Sequence, residues 1–376
     1  MSRGRIIVGM SGGVDSSVAA LRLRDAGHEV EGLFMFNWGE DEAGRCQAAE
    51  DYEDARAVAE LIGIPLHRAD FSSDYKQGVF QHFLTAYQAG RTPNPDVLCN
   101  REIKFNVFLN HAQRLGAARI ATGHYARTRP VGDRQWLLRG VDDSKDQSYF
   151  LAAVPEAALA RSLFPLGDMA KTDVRERARS AGLPVFDKPD STGVCFIGER
   201  DFAGFLGEYL SGRPGPVRVA DDGPLFGAVV GEHRGLIYHT LGQRRGLGLG
   251  GVRGADESPW YVVQKTLSSQ TLWVSQDATH PALMSRKVEG ITPHWIGEPP
   301  DEGREYGAQL RYRQASQPCR VLRCDTERVT LAFSHPQRAA TPGQYAVVYD
   351  GERCLGAAEI AATDAPVISA DKAQTA

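Results

Sequence analysis

A glycine- and serine-rich turn, G-M-S-G-G-V-D-S-S from Gly9 to Ser17, constrains this chain more than any other feature. It lies between an apolar strand over Arg5 to Met10 and a helix from Asp15 to Ala26, with Val14, Val18 and Leu21 on one helical face before Gly27 stops it. Glycines let the backbone turn its N–H groups toward an anion, and the helix N-terminus adds partial positive charge. Ser11, Ser16 and Ser17 supply hydroxyl donors. Asp15, expected on an exposed loop, supplies a carboxylate for a divalent metal carried by bound phosphates. The lysine of G-x-x-x-x-G-K-[ST] is missing, and the spacing is not that of a dinucleotide fingerprint.

The first half goes on alternating strands with helices. Val30 to Phe36 reads as a strand, Glu50 to Ile62 as a helix ended by Gly63, and Pro65 to Ala69 as extended. Helices follow from about Asp74 to Ala89 and from about Asn100 to Leu115, then a strand over Arg119 to Gly123. This alternation predicts an α/β fold with a parallel sheet covered on both faces. After Tyr209 glycine and proline become frequent, which suggests a linker or turn-rich module. From about Pro259 the chain is β-like: Trp260 to Val263, Leu272 to Ser275, Cys319 to Arg323, Arg328 to Phe333 and Gln344 to Tyr349. Asp350-Gly351 is a hairpin signal, and a C-terminal barrel is expected. The expected division is 1–208 for nucleotide chemistry, 209–278 for a central linker-like module, 279–364 for the barrel and 365–376 for a disordered tail.

At 376 residues, 42% hydrophobic and 24% charged, the chain has room for two or three globular domains. No apolar run approaches the roughly 18 residues of a membrane span. The first strand starts too early for a targeting peptide, so a cytoplasmic enzyme without a membrane partner is expected. The net charge of −4 is unevenly spread. Arg234, Arg244, Arg245 and Arg253 have no acidic residue among them, and Arg304, Arg311, Arg313, Arg320 and Arg323 form a second group. Each group reads equally as a phosphate-binding patch or an ordinary solvated face.

The six cysteines include no C-x-x-C pair, so neither a zinc finger nor a disulfide framework is indicated. Two have telling surroundings. In T-P-N-P-D-V-L-C-N-R-E-I-K-F, Thr92 to Phe105, two prolines stiffen the approach to Cys99, which is placed at a helix start near Arg101 and Lys104, a setting that favours thiolate. Asp96 is near enough to carry protons. In D-S-T-G-V-C-F-I-G-E-R-D-F, Asp190 to Phe202, Gly193 and Gly198 flank Cys195 and suit a loop that moves. The structural alternative, a buried apolar cysteine, stands for both.

The Gly9–Ser17 turn resembles the S-G-G-x-D-S loop of the ATP pyrophosphatases. With the two cysteine segments, G-H-Y at Gly123–Tyr125, K-D-Q-S-Y-F-L at Lys145–Leu151, H-T-L-G-Q-R-R-G-L-G at His239–Gly248, R-Y-R-Q at Arg311–Gln314 and T-P-G-Q at Thr341–Gln344, nearly the whole chain is similar to the bacterial tRNA-uridine 2-sulfurtransferases. That resemblance implies an N-type ATP pyrophosphatase domain (adenine nucleotide α-hydrolase-like), a small central module and a C-terminal β-barrel. It also implies ATP with magnesium, bound by Gly9, Met10, Ser11, Gly12, Gly13, Val14, Asp15 and Ser16, with Met35 and Gly123 at the adenine. ATP would adenylate the wobble uridine. Cys195 would carry a persulfide from a sulfur-relay protein fed by a cysteine desulfurase, Cys99 would release or resolve it, and Asp96 would be the acid/base. Asn94, Pro95 and Asp96 would meet the target base of tRNAs of the Lys, Glu and Gln type. His124, Lys145, Asp146, Gln147, Arg311, Tyr312 and Gln344 would contact tRNA elsewhere. One departure is Phe36, where many relatives have lysine beside the adenine.

An amidoligase with the same loop explains the ATP site but gives the two cysteines no task, and a non-catalytic RNA-binding protein explains neither. An iron–sulfur cluster on Cys99, Cys195 and a third ligand is the other use of these thiols. The lack of a C-x-x-C pair disfavours it.

Overall fold

The computed structural model describes residues 4–38, 47–190 and 202–369. Its first part runs β1 (Ile6–Met10), α1 (Val14–Asp25), β2 (Val30–Phe36), α2 (Gln47–Ile62), β3 (Leu66–Asp70), helices over residues 72–88 and 95–114, and β4 (Arg119–Ala121). An antiparallel hairpin, β5 (Ala126–Val131) and β6 (Arg134–Arg139), precedes the short β7 (Ser162–Leu163). The parallel sheet has the order β3-β2-β1-β4-β7. Ile7 packs with Leu33 and Phe108 on one face, while Ile6 and Val8 pack with Val18 and Val58 on the other. Burial of both faces is why β1 reads as an unbroken apolar run.

The strand order reverses between β1 and β4. At such a switch point the loops leaving the carboxyl ends diverge and open a crevice for ligands. The loop after β1 is Ser11–Gly13 and the turn after β4 is Gly123–Tyr125, so two of the sequence motifs meet there.

The glycine- and proline-rich stretch read as linker-like forms a sheet of its own. β8 (Gly215–Val219), β9 (Val229–His233), β10 (Tyr261–Thr266) and β11 (Thr271–Ser275) take the order β10-β11-β8-β9. Val217, Trp260, Leu272 and Val274 fill its core. The β-like run from Pro259 to Ser275 thus belongs here and not to the C-terminal barrel, because Leu272 pairs with Val217. Dense glycine and proline mark turns between short strands as readily as a linker.

Six strands make the barrel: β12 (Met284–Trp295), β13 (Glu305–Gln309), β14 (Gln317–Cys324), β15 (Arg328–Arg338), β16 (Tyr345–Asp350) and β17 (Arg353–Thr363). They run β12-β15-β14-β13-β16-β17, and β12 pairs with β17 to close the ring. Asp350 pairs with Arg353 across the expected hairpin turn, where Gly351 has φ +60°. β17 also pairs with β6, Arg353 with Leu138 and Cys354 with Leu137, so the hairpin of the first part extends the barrel sheet. Leu137, Tyr149, Tyr345, Val347 and Tyr349 share one apolar cluster with Ile7 and Leu33. The expected tail begins tied down: Ile368 N–H donates to Gln264 Oε1 (2.7 Å) and Gln264 Nε2 donates to the Ile368 carbonyl (3.0 Å).

Candidate active site

The loop after β1 is built by its own side chains. Ser11 N–H donates to Ser16 Oγ (3.1 Å), Ser16 Oγ donates to the Gly13 carbonyl (3.1 Å), and so does Ser17 Oγ (2.8 Å). Gly12 has φ +72°, and a Cβ there would strike the Asp51 carbonyl of α2. α1 begins at Val14 with Gly13 as its cap, and the N–H groups of a first helical turn have no intrahelical acceptors. At the carboxyl end of β1 such groups make a ready anion site. Gly123 closes on them: a Cβ would stand 2.8 Å from Ser16 N and from the Asp15 carbonyl carbon. The Met35 methyl lies 3.3 Å from where a Gly9 Cβ would sit. Met35 and Gly123 therefore both border the phosphate loop.

Asp15 is not on an exposed loop. It is the second residue of α1, half-buried, and accepts from Tyr125 Oη (2.7 Å) and Lys171 Nζ (2.7 and 2.9 Å). Lys171, itself buried, reaches on to Asp190 at 2.7 Å. Asp190 also holds Lys145 (2.7 Å) and Arg175 (3.0 Å). Burial works to raise the Asp190 carboxyl, but Lys145 and Lys171 outweigh it and bring it down to about 2. Burial, then Asp15, push the Tyr125 phenol up, so it stays a hydrogen-bond donor. Lys171 carries no local sequence signal, since its partner Asp15 is 156 residues away. Both Asp15 carboxylate oxygens accept from Lys171, so a magnesium ion carried by phosphates would have to compete with that ammonium for them. Among the described residues no three His, Cys, Asp or Glu side chains converge as a metal site.

Cys195 lies outside the described residues; Asp190 opens its segment. Cys99 does not start a helix as expected. The helix begins at Pro95, capped by Asn94 Oδ1 accepting from Val97 N (3.4 Å), and Cys99 sits one turn in, fully buried. Proline is favoured at a first helical position because its missing N–H would lack a partner anyway. From Cys99 to Val107 the helix widens into π turns, a form found often at functional sites. Asp96 precedes Cys99 by three residues and shares its helical face. Arg101, expected to attract a thiolate, is paired with Glu102 at 2.6 Å. Of the other described thiols, burial pushes Cys319 and Cys354 up to about 12, and burial, then Glu302, raise Cys324.

The expected tRNA contacts divide. Arg311 is exposed and Tyr312 half-buried, with its ring 4.3 Å from that of Phe150. Lys145 is partly exposed but paired with Asp190. Gln147 Oε1 accepts from Tyr125 N (3.0 Å), which fixes the G-H-Y turn. His124 accepts or donates at Nδ1 with Thr122 Oγ1 (2.7 Å), and burial, then Lys104, hold its pKa well below the usual value, so it is neutral. Asp146 is buried and accepts from Gly140 N, Ser148 N, Ser148 Oγ and Arg139 at 2.9–3.1 Å. Gln344 is half-buried, its Nε2 donating to the Thr92 carbonyl at 2.8 Å. Of the second basic group, Arg304, Arg320 and Arg323 pair with Asp350, Glu305 and Asp325 and form an ordinary solvated face. Arg234, Arg244, Arg245 and Arg253 are all exposed.

Comparison with known proteins covers nearly the whole chain. Residues 4–199 match the tRNA methyl transferase HUP domain, 203–276 the tRNA methyl transferase PRC-barrel domain, and 285–360 the aminomethyltransferase beta-barrel domain. The chain is 56% identical over 368 residues to the tRNA-specific 2-thiouridylase MnmA of Stenotrophomonas maltophilia (strain K279a), covering 98% of this chain and 96% of that protein. It is 54% identical, with the same coverage, to the protein of that name from Xanthomonas campestris pv. campestris (strain B100). Identity at this level along both chains shows that the chain belongs to the tRNA-specific 2-thiouridylase family.

Proposed function

We propose that this protein thiolates C2 of the wobble uridine of tRNA at the expense of ATP, in the cytoplasm. The observation that carries the proposal is the meeting, at the β1/β4 switch point, of the phosphate loop, the Gly123–Tyr125 turn and the ion-pair network ending at Asp190, which opens the segment of Cys195. No helix among the described residues is long and apolar enough to cross a membrane.

The uridine C2 oxygen attacks the α-phosphorus of ATP, the bond to the β-phosphate breaks, and pyrophosphate leaves. The N–H groups at the start of α1 receive its charge, with Ser11 and Ser16 beside them. Magnesium held by Asp15 would neutralise part of that charge. Sulfur then reaches C2 from a Cys195 persulfide delivered by a sulfur relay. In one route the terminal sulfur attacks C2 and AMP departs as the C2–O bond breaks, and Cys99 resolves the remaining link. In the other, the Cys99 thiolate attacks Cys195 Sγ, the S–S bond breaks and hydrosulfide leaves to attack C2. Both routes end in a Cys99–Cys195 disulfide and require an external thiol reductant. Asp96, on the face of Cys99, would move the proton. Asn94 and Pro95 would border the base, and Arg311, Tyr312 and the exposed arginines of the central module would hold the tRNA backbone.

The nucleotide products test this directly. Wobble-uridine tRNA should stimulate formation of AMP and pyrophosphate from ATP. Formation of ADP and phosphate, or stimulation by an amino acid in place of tRNA, would refute the assignment.

A further inference from the structure

The segment that leads to Asn94, Asp96 and Cys99 does not hold its own shape. Thr92 N–H donates to the Pro342 carbonyl (2.9 Å), and Gln344 Nε2 donates to the carbonyls of Thr92 (2.8 Å) and Pro93 (3.4 Å). Both amide protons of Gln344 are thus engaged on one loop. Gly343 has φ +94°, and a Cβ there would lie 2.9 Å from the Thr92 nitrogen, carbonyl carbon and oxygen. Backbone meets backbone at that point, which only glycine permits. The turn is anchored in turn to β17: Gly343 N–H donates to the Ile360 carbonyl (2.9 Å), and Ile360 N–H to that of Gln344 (2.7 Å). One residue before the loop, Arg91 reaches the buried Glu359 of β17 at 2.8 Å. From the central module, Thr240 Oγ1 lies 3.4 Å from Thr92 Oγ1.

We infer that the Thr341–Gln344 turn of the barrel positions the reaction: it sets the path of Thr92–Pro93 and through it the placing of Asp96 and Cys99. This rests on the reading of Asp96 and Cys99 given above. Gly343 and Gln344 are positioning residues, and the barrel does more than hold tRNA. The T-P-G-Q motif is explained by backbone contact within the chain, which needs glycine for closeness and glutamine for two donors. Misplacement of a reacting group by about 1 Å suffices for a rate loss of order 100-fold.

Gly343→Ala separates positioning from tRNA contact, and Gln344→Glu tests the two donors. The first adds a methyl against the loop and removes nothing that RNA could touch; the second keeps the shape but removes both donors. Single-turnover thiolation at saturating tRNA and ATP should fall about 10- to 100-fold in both, with Gly343→Ala binding tRNA as wild type does. The milder Gln344→Ala should fall in the same direction, and peptide mapping after alkylation should show Cys99 labelled faster in all three as the loop loosens. Wild-type saturated rates in Gly343→Ala and Gln344→Ala, or losses confined to the KM for tRNA, would overturn the inference. Asp96→Asn is run beside them. If it is inactive while the turn variants are not, the positioning claim alone fails; if it is fully active, the site reading fails and takes this inference with it.

Discussion

Lys171 is the residue on which the site's electrostatics turn. Its ammonium joins Asp15, at the phosphate loop, to Asp190, at the start of the Cys195 segment. Lys171→Met leaves two half-buried carboxylates without their shared cation, and should cost about 2–3 kcal/mol of stability at pH 7 by urea denaturation. Asp190 adds a pH signature. Its carboxyl is depressed in the folded state, so its contribution is complete above the unfolded value of about 4 and lost as pH falls toward about 2. The stability gap between wild type and Asp190→Asn should therefore be flat from pH 5 to 7 and close below pH 4. The cysteines are separable by sulfur labelling. With a desulfurase-loaded carrier, Cys195→Ser should take up no label, whereas Cys99→Ser should take it up and fail to pass it to tRNA. Delivery by Cys99→Ser at the wild-type rate would reduce Cys99 to a packing residue, which its full burial would suit.

Among the elements, those set by local pattern were legible in the sequence and those set by distant partners were not. β2 occupies Val30–Phe36 as its apolar run predicts, and Asp350-Gly351 makes its turn. The helix bearing Cys99 begins earlier than its apolar periodicity suggests, because Asn94 and Pro95 supply a cap and first position that outweigh the pattern. β12 was missed, since its partners β15 and β17 lie further along the chain; the β5–β6 hairpin was missed although it is local, because β5 is largely polar (A-R-T-R-P-V) and carries no apolar alternation. The hydrogen bonds that Gln344 gives to Thr92 and that Asp146 takes from Gly140 were not legible, because nothing local in the sequence marks those partners. The central module carries its own test. Burial, then the neighbouring His233, hold His239 down to about 4, so only the unfolded chain binds its proton near pH 6.5. Acid then favours unfolding: the module should lose on the order of 3 kcal/mol between pH 6.5 and 4. His239→Gln should flatten that slope in a pH series of thermal melts.

At the scale of the whole molecule, barrel and nucleotide domain are not separable. β17 pairs with β6, and Tyr345, Val347 and Tyr349 belong to the cluster that also covers the parallel sheet. Truncation after residue 278 should yield a chain that aggregates or binds ATP poorly, and should not merely weaken tRNA affinity; sedimentation and nucleotide titration of the fragment would show which. The exposed arginines make a different demand. Replacing Arg244 and Arg245 by alanine should weaken tRNA binding and reduce its salt dependence while leaving ATP binding alone, because phosphate contacts release counterions. The central claim is that this architecture exchanges oxygen for sulfur on one base. Its most direct test is mass spectrometry of nucleosides from a tRNA incubated with the protein, ATP, magnesium and a desulfurase-loaded sulfur carrier. The account predicts 2-thiouridine at the wobble position, matched by AMP formation, and none when that uridine is replaced by cytidine. Unmodified uridine under these conditions, or thiolation that proceeds without ATP, would contradict it.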